Sequence, residues 1–147
     1  MKLNVGCGRD YRKGWENIDI SREVQAEHYL DIRKDALPFK DASADLIYIS
    51  GVLEQVGPND ELVFAMRELY RVLAPGGIMQ IVVPNAKYAI AHRDPMDVRK
   101  FTPETFRYFK AGTHEHDNYG SVYGFDGWSD FVVDENERHI LTITMKK

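Results

Sequence analysis

Along this chain the apolar positions switch between two periods. Leu3–Val5 is a short apolar run that ends in Gly6-Cys7-Gly8. Trp15–Ile20 places Ile18 and Ile20 two residues apart, on one face of a predicted strand. Asp45–Ser50 (DLIYIS) and Ile78–Val83 (IMQIVV) are near-continuous apolar runs, the pattern of strands covered on both faces of a parallel sheet. Between them, Leu62, Ala65, Met66, Leu69, Val72 and Leu73 recur at the spacing of an amphipathic helix. Asn59 or Asp60 is placed to cap its start, and Ala74-Pro75-Gly76-Gly77 to stop it with a left-handed glycine. Strand, helix and strand over residues 45–83 make a βαβ unit, which predicts parallel pairing through a right-handed crossover.

The remaining pattern is weaker. Ser21–His28 reads as a short helix and Tyr29–Arg33 as a third strand. Leu37-Pro38-Phe39 and the polar residues after it read as loop, because Pro38 disfavours helix before it. Thr102-Pro103-Glu104 opens a helix with a capping threonine and proline at the first position. Phe101 and Phe106 stand where a hydrophobic staple would close. Residues 111–127 are rich in Gly, His and Asp without a period and read as a mobile loop. Trp128–Val133 and Arg138–Met145 flank a polar turn and read as a hairpin. The expected class is α/β, closing with an antiparallel pair.

Composition narrows the function. A chain of 147 residues suits one domain, expected over 1–147. The net charge of −4 argues against a general nucleic-acid binder, although Arg9, Arg12 and Lys13 cluster locally. Cys7 is the only cysteine, so neither an internal disulfide framework nor a thiolate metal cluster can form. There is no apolar run of about 18 residues. The first residues also lack the charged and then apolar pattern of a signal peptide. A cytoplasmic protein without membrane contact is expected.

The chemistry gathers at three predicted strand ends. In open α/β sheets, ligands bind beyond the carboxyl ends of the strands. Gly6-Cys7-Gly8 follows the first strand, Asp19 ends the second and Asp35 follows the third. Glycines let backbone approach a ligand closely. An aspartate at the second strand's end can accept from both ribose hydroxyls. The pocket is therefore nucleoside-shaped. A dinucleotide fingerprint needs a third glycine opening a helix, but Gly6-Cys7-Gly8-Arg9-Asp10-Tyr11 lacks it. A pocket with ribose contacts and no phosphate cradle suits S-adenosylmethionine. Only about nine residues, Arg9 to Asn17, separate the turn from the second strand's end, where a parallel crossover usually takes a dozen or more. The usual helix must shrink to a loop or single turn, leaving a more open site with Arg9, Asp10 and Tyr11 at its rim.

The ordered stretches LNVGCG, GWENIDI, DALPFKDASADLIYIS, GVLEQV and ELYRVLAPGGIMQIVVPN, with DPMDVRKFTPETFRYF after them, resemble the class I S-adenosylmethionine-dependent methyltransferases of the small type-11-like group. The resemblance implies a Rossmann-like three-layer sandwich with a mostly parallel sheet of about seven strands and an antiparallel C-terminal hairpin. It implies that Gly6, Cys7 and Gly8 line the cofactor's methionine part. Asp19 would hold the ribose, and Ile20 would pack on adenine. Asp35 would accept from the adenine amino group, with the Ala36 backbone at the ring edge. Ser50 and Leu53 would lie by the methionine moiety. Four departures from that group stand out: the acid usual near Asn4 is absent, Gln55 replaces a usual histidine, the loop between Asp35 and Leu37 is shortened, and the covering segment before the first strand is missing.

The sulfonium carries the hard chemistry, so the protein must mainly align an acceptor and take its proton. Glu54, His92, Asp94 and Asp97 are the candidate bases or positioners, with Gln55 and Arg99 as candidate substrate contacts. Cys7 reads as a small packing residue. His114-Glu115-His116-Asp117 lacks the i, i+4 histidine pair of a zinc helix, so no metal site is expected. The expected activity is methyl transfer to a small-molecule or glycan-type acceptor. The alternative is a cofactor-binding protein without independent catalysis that needs a partner subunit. An NAD-dependent enzyme is a third option, disfavoured by the absent glycine. A second copy of the chain is also left open as a partner.

Overall fold

The apolar runs pair as one seven-stranded sheet. The computed structural model describes all 147 residues. Its strands are β1 (Lys2–Val5), β2 (Glu16–Asp19), β3 (His28–Tyr29), β4 (Ala44–Ser50), β5 (Leu73–Pro84), β6 (Asp130–Glu135) and β7 (Ile140–Lys146). Their order in the sheet is β3-β2-β1-β4-β5-β7-β6. Pairing is parallel from β3 to β5, while β7 runs antiparallel to both β5 and β6. This is the Rossmann-like sheet with an antiparallel C-terminal pair that the sequence predicts.

Alternation along the strands sets the core. Leu3, Val5, Ile18, Ile47, Ile49, Met79, Ile81, Leu141, Ile143 and Met145 are buried in one cluster. Helix α1 (Asn59–Val72) joins β4 to β5 and buries Leu62, Ala65, Met66, Leu69 and Val72 in the same cluster. Burying a side chain such as Leu69 contributes roughly 1.5–3 kcal/mol. The start of α1 differs from expectation. Pro58 is the N-cap and makes no side-chain capping bond, so neither Asn59 nor Asp60 caps it. Its end differs too. Leu73 turns straight into extended backbone, and the left-handed Gly76 lies beyond it, within β5.

Regular helix covers only that face. On the opposite face the outer layer over β1 and β4 is the irregular segment 9–15, with the Arg12 guanidinium 3.8 Å from the centre of the Tyr48 ring. The short crossover is thus a loop, as its length requires. Two buried asparagines replace the missing helix. Asn4 Nδ2 donates to Asn17 Oδ1 at 3.0 Å and to the Asp10 carbonyl at 2.7 Å. Asn17 in turn accepts from the Arg12 N–H and donates to the Arg12 and Trp15 carbonyls. Buried amides fixed at both ends hold backbone that no helix ladder satisfies.

Four further expectations are corrected. Residues 21–27 form bends and turns rather than a helix, and the third strand, expected over Tyr29–Arg33, is His28–Tyr29. The Thr102-Pro103 start opens a 3₁₀ helix, Pro103–Tyr108, not an α-helix. Its staple does form, with the Phe101 and Phe106 rings stacked at 5.7 Å. Residues 111–127 are not a loose loop. They wind through a π-helical turn (His116–Gly120) into the three-residue helix α2 (Ser121–Tyr123), burying His116 and Gly120. Hydrophobic period misses this segment because backbone contact orders it. A Cβ on Gly120 would lie 2.0 Å from the Tyr108 carbonyl oxygen.

Candidate cofactor and acceptor site

The tips of β1, β2 and β4 surround a cleft of about 410 Å³. Gly6 and Gly8 form its floor, both in the left-handed region with φ of 65° and 50°. Gly8 has open space where a Cβ would stand, whereas Gly6 meets a neighbour there. A Cβ on Gly6 would fall 2.1 Å from Val52 Cγ2, so this glycine also makes room for the turn after β4. Gly51, with φ of 69°, and Val52 complete that wall.

Asp19 closes β2 and is fixed on both oxygens. Its Oδ2 accepts the Gly8 N–H at 2.7 Å and its Oδ1 the Ser21 N–H at 2.8 Å. Each carboxylate oxygen has a second lone pair, so both can still accept from a ligand hydroxyl. Ile20 lines the same cleft and is 61% exposed, an apolar surface left uncovered at its rim.

The acid at the third strand's end is Asp31, not Asp35. Leu30, Asp31, Ile32 and Arg33 line the cleft, while Asp35 and Ala36 do not. Asp35 Oδ2 accepts the Asp31 N–H at 2.9 Å and so serves a turn. Arg33 grips Asp31 with Nε at 2.8 Å and Nη2 at 2.7 Å. That paired hydrogen bonding holds the Asp31 carboxyl below its ordinary range. A sequence signal for Asp31 exists. Leu30-Asp31-Ile32 repeats the apolar-acid-apolar pattern of Ile18-Asp19-Ile20 at a neighbouring strand end.

Several other expected contacts lie elsewhere. Cys7 is buried, with Sγ 3.5 Å from the Gln25 carbonyl, and burial pushes its thiol up. Leu53 belongs to the core, and Ser50 lies outside the cleft lining. Arg9, Asp10 and Tyr11 are also outside it. The Tyr11 hydroxyl instead donates to Glu27 Oε1 at 2.5 Å. That bond and those from Asn17 bring the Glu27 carboxyl down to about 2. His92 is exposed, its Nε2 3.2 Å from the Ala86 carbonyl. Arg99 is spent on the carbonyls of Val56 and Gly57 and on the Asn59 side chain. It lines a separate groove of about 1200 Å³ that runs along α1.

The wall beyond β4 carries the remaining candidates. Gln55, Val56 and Met96 line the cleft. Glu54, next to Gln55, is only 4% exposed, and its Oε2 has no hydrogen-bond partner. Burial pushes its carboxyl up to about 7, and the charges of Asp97 and Asp94 add to the rise. Asp97 is raised as well, first by burial and then by Asp94. No three of the His, Cys, Asp and Glu side chains are grouped to hold a metal ion. No helix is long and apolar enough to cross a membrane.

Comparison with known proteins identifies the family and the fold. Residues 3–81 match the family model described as a methyltransferase domain, which spans the glycine turn, Asp19, Asp31 and α1. A stretch of 54 residues is 41% identical to the ubiquinone/menaquinone biosynthesis C-methyltransferase UbiE of Pseudoalteromonas translucida. That match covers 37% of this chain and 20% of the relative, so the chain spans about a fifth of that protein's length. A SAM-dependent methyltransferase from Archaeoglobus fulgidus superposes with a TM-score of 0.71 at 17% identity, over 99% of this chain and 85% of that one. The N-methyltransferase NodS of Bradyrhizobium japonicum, solved with S-adenosyl-L-homocysteine, gives 0.61 at 14% identity, over 99% and 76%. By the family model and by its sheet, the chain belongs to the methyltransferase domain family and has the fold of the class I S-adenosylmethionine-dependent enzymes.

Proposed function

We propose that this domain transfers the methyl group of S-adenosylmethionine to a small acceptor seated beyond β4. The observation that carries the reading is the meeting of Gly8 and Asp19, which joins a bare backbone turn to a carboxylate with free lone pairs in one cleft. The donor set fits the cofactor. Asp19 would accept from the ribose hydroxyls, Ile20 and Leu30 would cover the adenine faces, and Asp31 would accept from its amino group. The methionine end would then lie toward Gly6, Gly51 and the Val52 side chain, beside β4 in the strand order.

When bound, the cofactor supplies an activated methyl group and needs little acid–base help. The chain's own work is to fix the acceptor in line and to exclude water. Gln55, Val56 and Met96 stand at the β4 end to do so. Calorimetric titration with S-adenosylhomocysteine and with NAD tests the reading. Binding of the former alone is expected, and binding of NAD alone refutes it.

A further inference from the structure

We infer that a second copy of this chain packs on the sheet face opposite α1, related by a two-fold axis that runs along the strands between β5 and β7. The strand pairings set this face out in rows. Leu46, Ile78 and Lys146 stand side by side on β4, β5 and β7, with Lys2 of β1 at one end and Asp130 of β6 at the other. Tyr48, Gln80, Thr144 and Val132 form the next row, and Ser50, Val82, Thr142 and Asp134 the third. All of these residues are half-buried or exposed. Ile47, Met79 and Ile143, which alternate with them along the strands, are fully buried on the α1 side.

Sheets built mainly of parallel strands are covered on both sides. On one side of this sheet lies α1, with Trp128 packed edge-on to its Tyr70 at 5.1 Å. On the other side the 9–15 segment reaches β4 through the Arg12–Tyr48 contact, and β5, β7 and β6 lie bare beside it. Ile78 is 39% exposed there and Val132 56%. Across β4, β5 and β7 the three rows carry one charged side chain, Lys146. Such depletion of charge belongs to the buried centre of an interface rather than to a solvated surface.

Charge gathers at the two flanks instead, with opposite sign. On the β1 side, Lys2 Nζ and the Arg12 guanidinium lie 5.5 Å and 5.0 Å from the centre of the Trp15 ring, and the exposed Lys13 follows Arg12. On the β6 side stand Asp130 and Asp134. Arg12 and Asp130 already pair with Asp10 and Lys110. Lys2, Lys13 and Asp134 have no ion-pair partner within the chain. A two-fold axis between β5 and β7 lays β5 on the partner's β7 and β4 on its β6. The acidic β6 edge of each copy then abuts the basic 9–15 segment of the other, which bounds the bare strands on that side. Opposite patches are thereby matched at both flanks, because an isologous contact is made twice. Two sheets stacked in this way lie about 10 Å apart and within about 30° of parallel. Ile78 and Val82 leave water against the partner's β7, and the assembly closes at two chains.

Light scattering during gel filtration at micromolar concentration tests the pairing. Twice the mass of one chain is expected, and the mass of a single chain overturns the inference. Ile78→Glu places a charge on the bare strands and should weaken association at least about tenfold. Charge reversal tests which flanks meet. Lys2→Glu combined with Lys13→Glu sets acid against acid in a pair of like copies, and Asp134→Lys sets base against base. Each variant alone should associate at least about tenfold more weakly than the unmodified chain, and an equimolar mixture of the two should recover the lost affinity. A mixture that associates no better than its parts overturns the inference. Arg67→Glu, an exposed reversal on α1, should leave association unchanged. Loss of association in that variant would place the contact on the α1 side and overturns the inference as well.

Discussion

Asp19 Oδ2 accepts the backbone N–H of Gly8 at 2.7 Å, so the tip of β2 holds the glycine turn that follows β1. One carboxylate therefore shapes the floor of the cleft and offers its remaining lone pairs to a ligand. Asp19→Ala removes both functions. Loss of two hydrogen bonds to a charged acceptor, at about 1.5–3 kcal/mol each, predicts at least about a hundredfold weaker binding of S-adenosylhomocysteine. Asp19→Asn keeps one acceptor oxygen and should fall between. Calorimetric titration of both variants checks the order, and unchanged affinity in Asp19→Ala removes the ribose assignment.

The neighbouring acids at the third strand's end are separable. Asp31 faces the cleft with its charge fixed by Arg33, whereas Asp35 is turned onto the Asp31 N–H. Asp31→Ala is expected to weaken S-adenosylhomocysteine binding about tenfold or more, the value of one hydrogen bond to a charged group. Asp35→Ala should mainly lower the melting temperature, leaving affinity within about threefold. The reverse pattern would restore Asp35 as the adenine contact.

Glu54 predicts a pH dependence of stability. Its folded carboxyl titrates at about 7 against an ordinary 4.5. A raised pKa means that the folded state binds the proton more tightly. Its stabilisation is therefore full below 4.5 and is lost as the pH rises to about 7. The difference corresponds to about 3 kcal/mol at most. Glu54→Gln should flatten this slope and make the protein more stable than the unmodified chain at pH 8. Urea unfolding at pH 5 and pH 8 measures it. An unchanged slope would mean that Glu54 is solvated.

Much of the architecture was legible because it is written in local period. DLIYIS, the α1 stripe and IMQIVV each fix one element, and their order forces parallel pairing of β4 with β5. The shortness of the Gly8-to-Ile18 connection correctly rules out a helix, since too few residues are present to build one. What fills the gap was not legible. The Asn4–Asn17 pair joins residues 13 apart, and nothing in either local pattern marks them as partners. In the site, Asp19 stands out by its place after a clear strand. Asp31 does not, because the strand before it has only two residues and pattern does not locate its end. The order of the 111–127 segment is hidden from pattern for a related reason. Its order comes from backbone packed on backbone at Gly120, and hydrophobic period does not record that.

The two glycines of the turn make a paired test of what each is for. Both have positive φ, so alanine at either position costs the left-handed strain of about 1–2 kcal/mol. At Gly8 that is the whole expected cost, because nothing lies within 4 Å of the added carbon. At Gly6 the added carbon overlaps Val52 Cγ2 at 2.1 Å, so the turn after β4 must move. Overpacking of this kind adds about 1–3 kcal/mol. Gly6→Ala should therefore unfold at lower urea than Gly8→Ala and should also weaken S-adenosylhomocysteine binding, since Val52 lines the cleft. Pairing Gly6→Ala with Val52→Ala removes the overlap but not the strain. The double variant should thus recover toward Gly8→Ala, less whatever stability the lost Val52 methyls contributed. Equal stability of the two single variants would show that the β4 turn yields freely and that the close approach of Gly6 to Val52 does not fix the cleft wall.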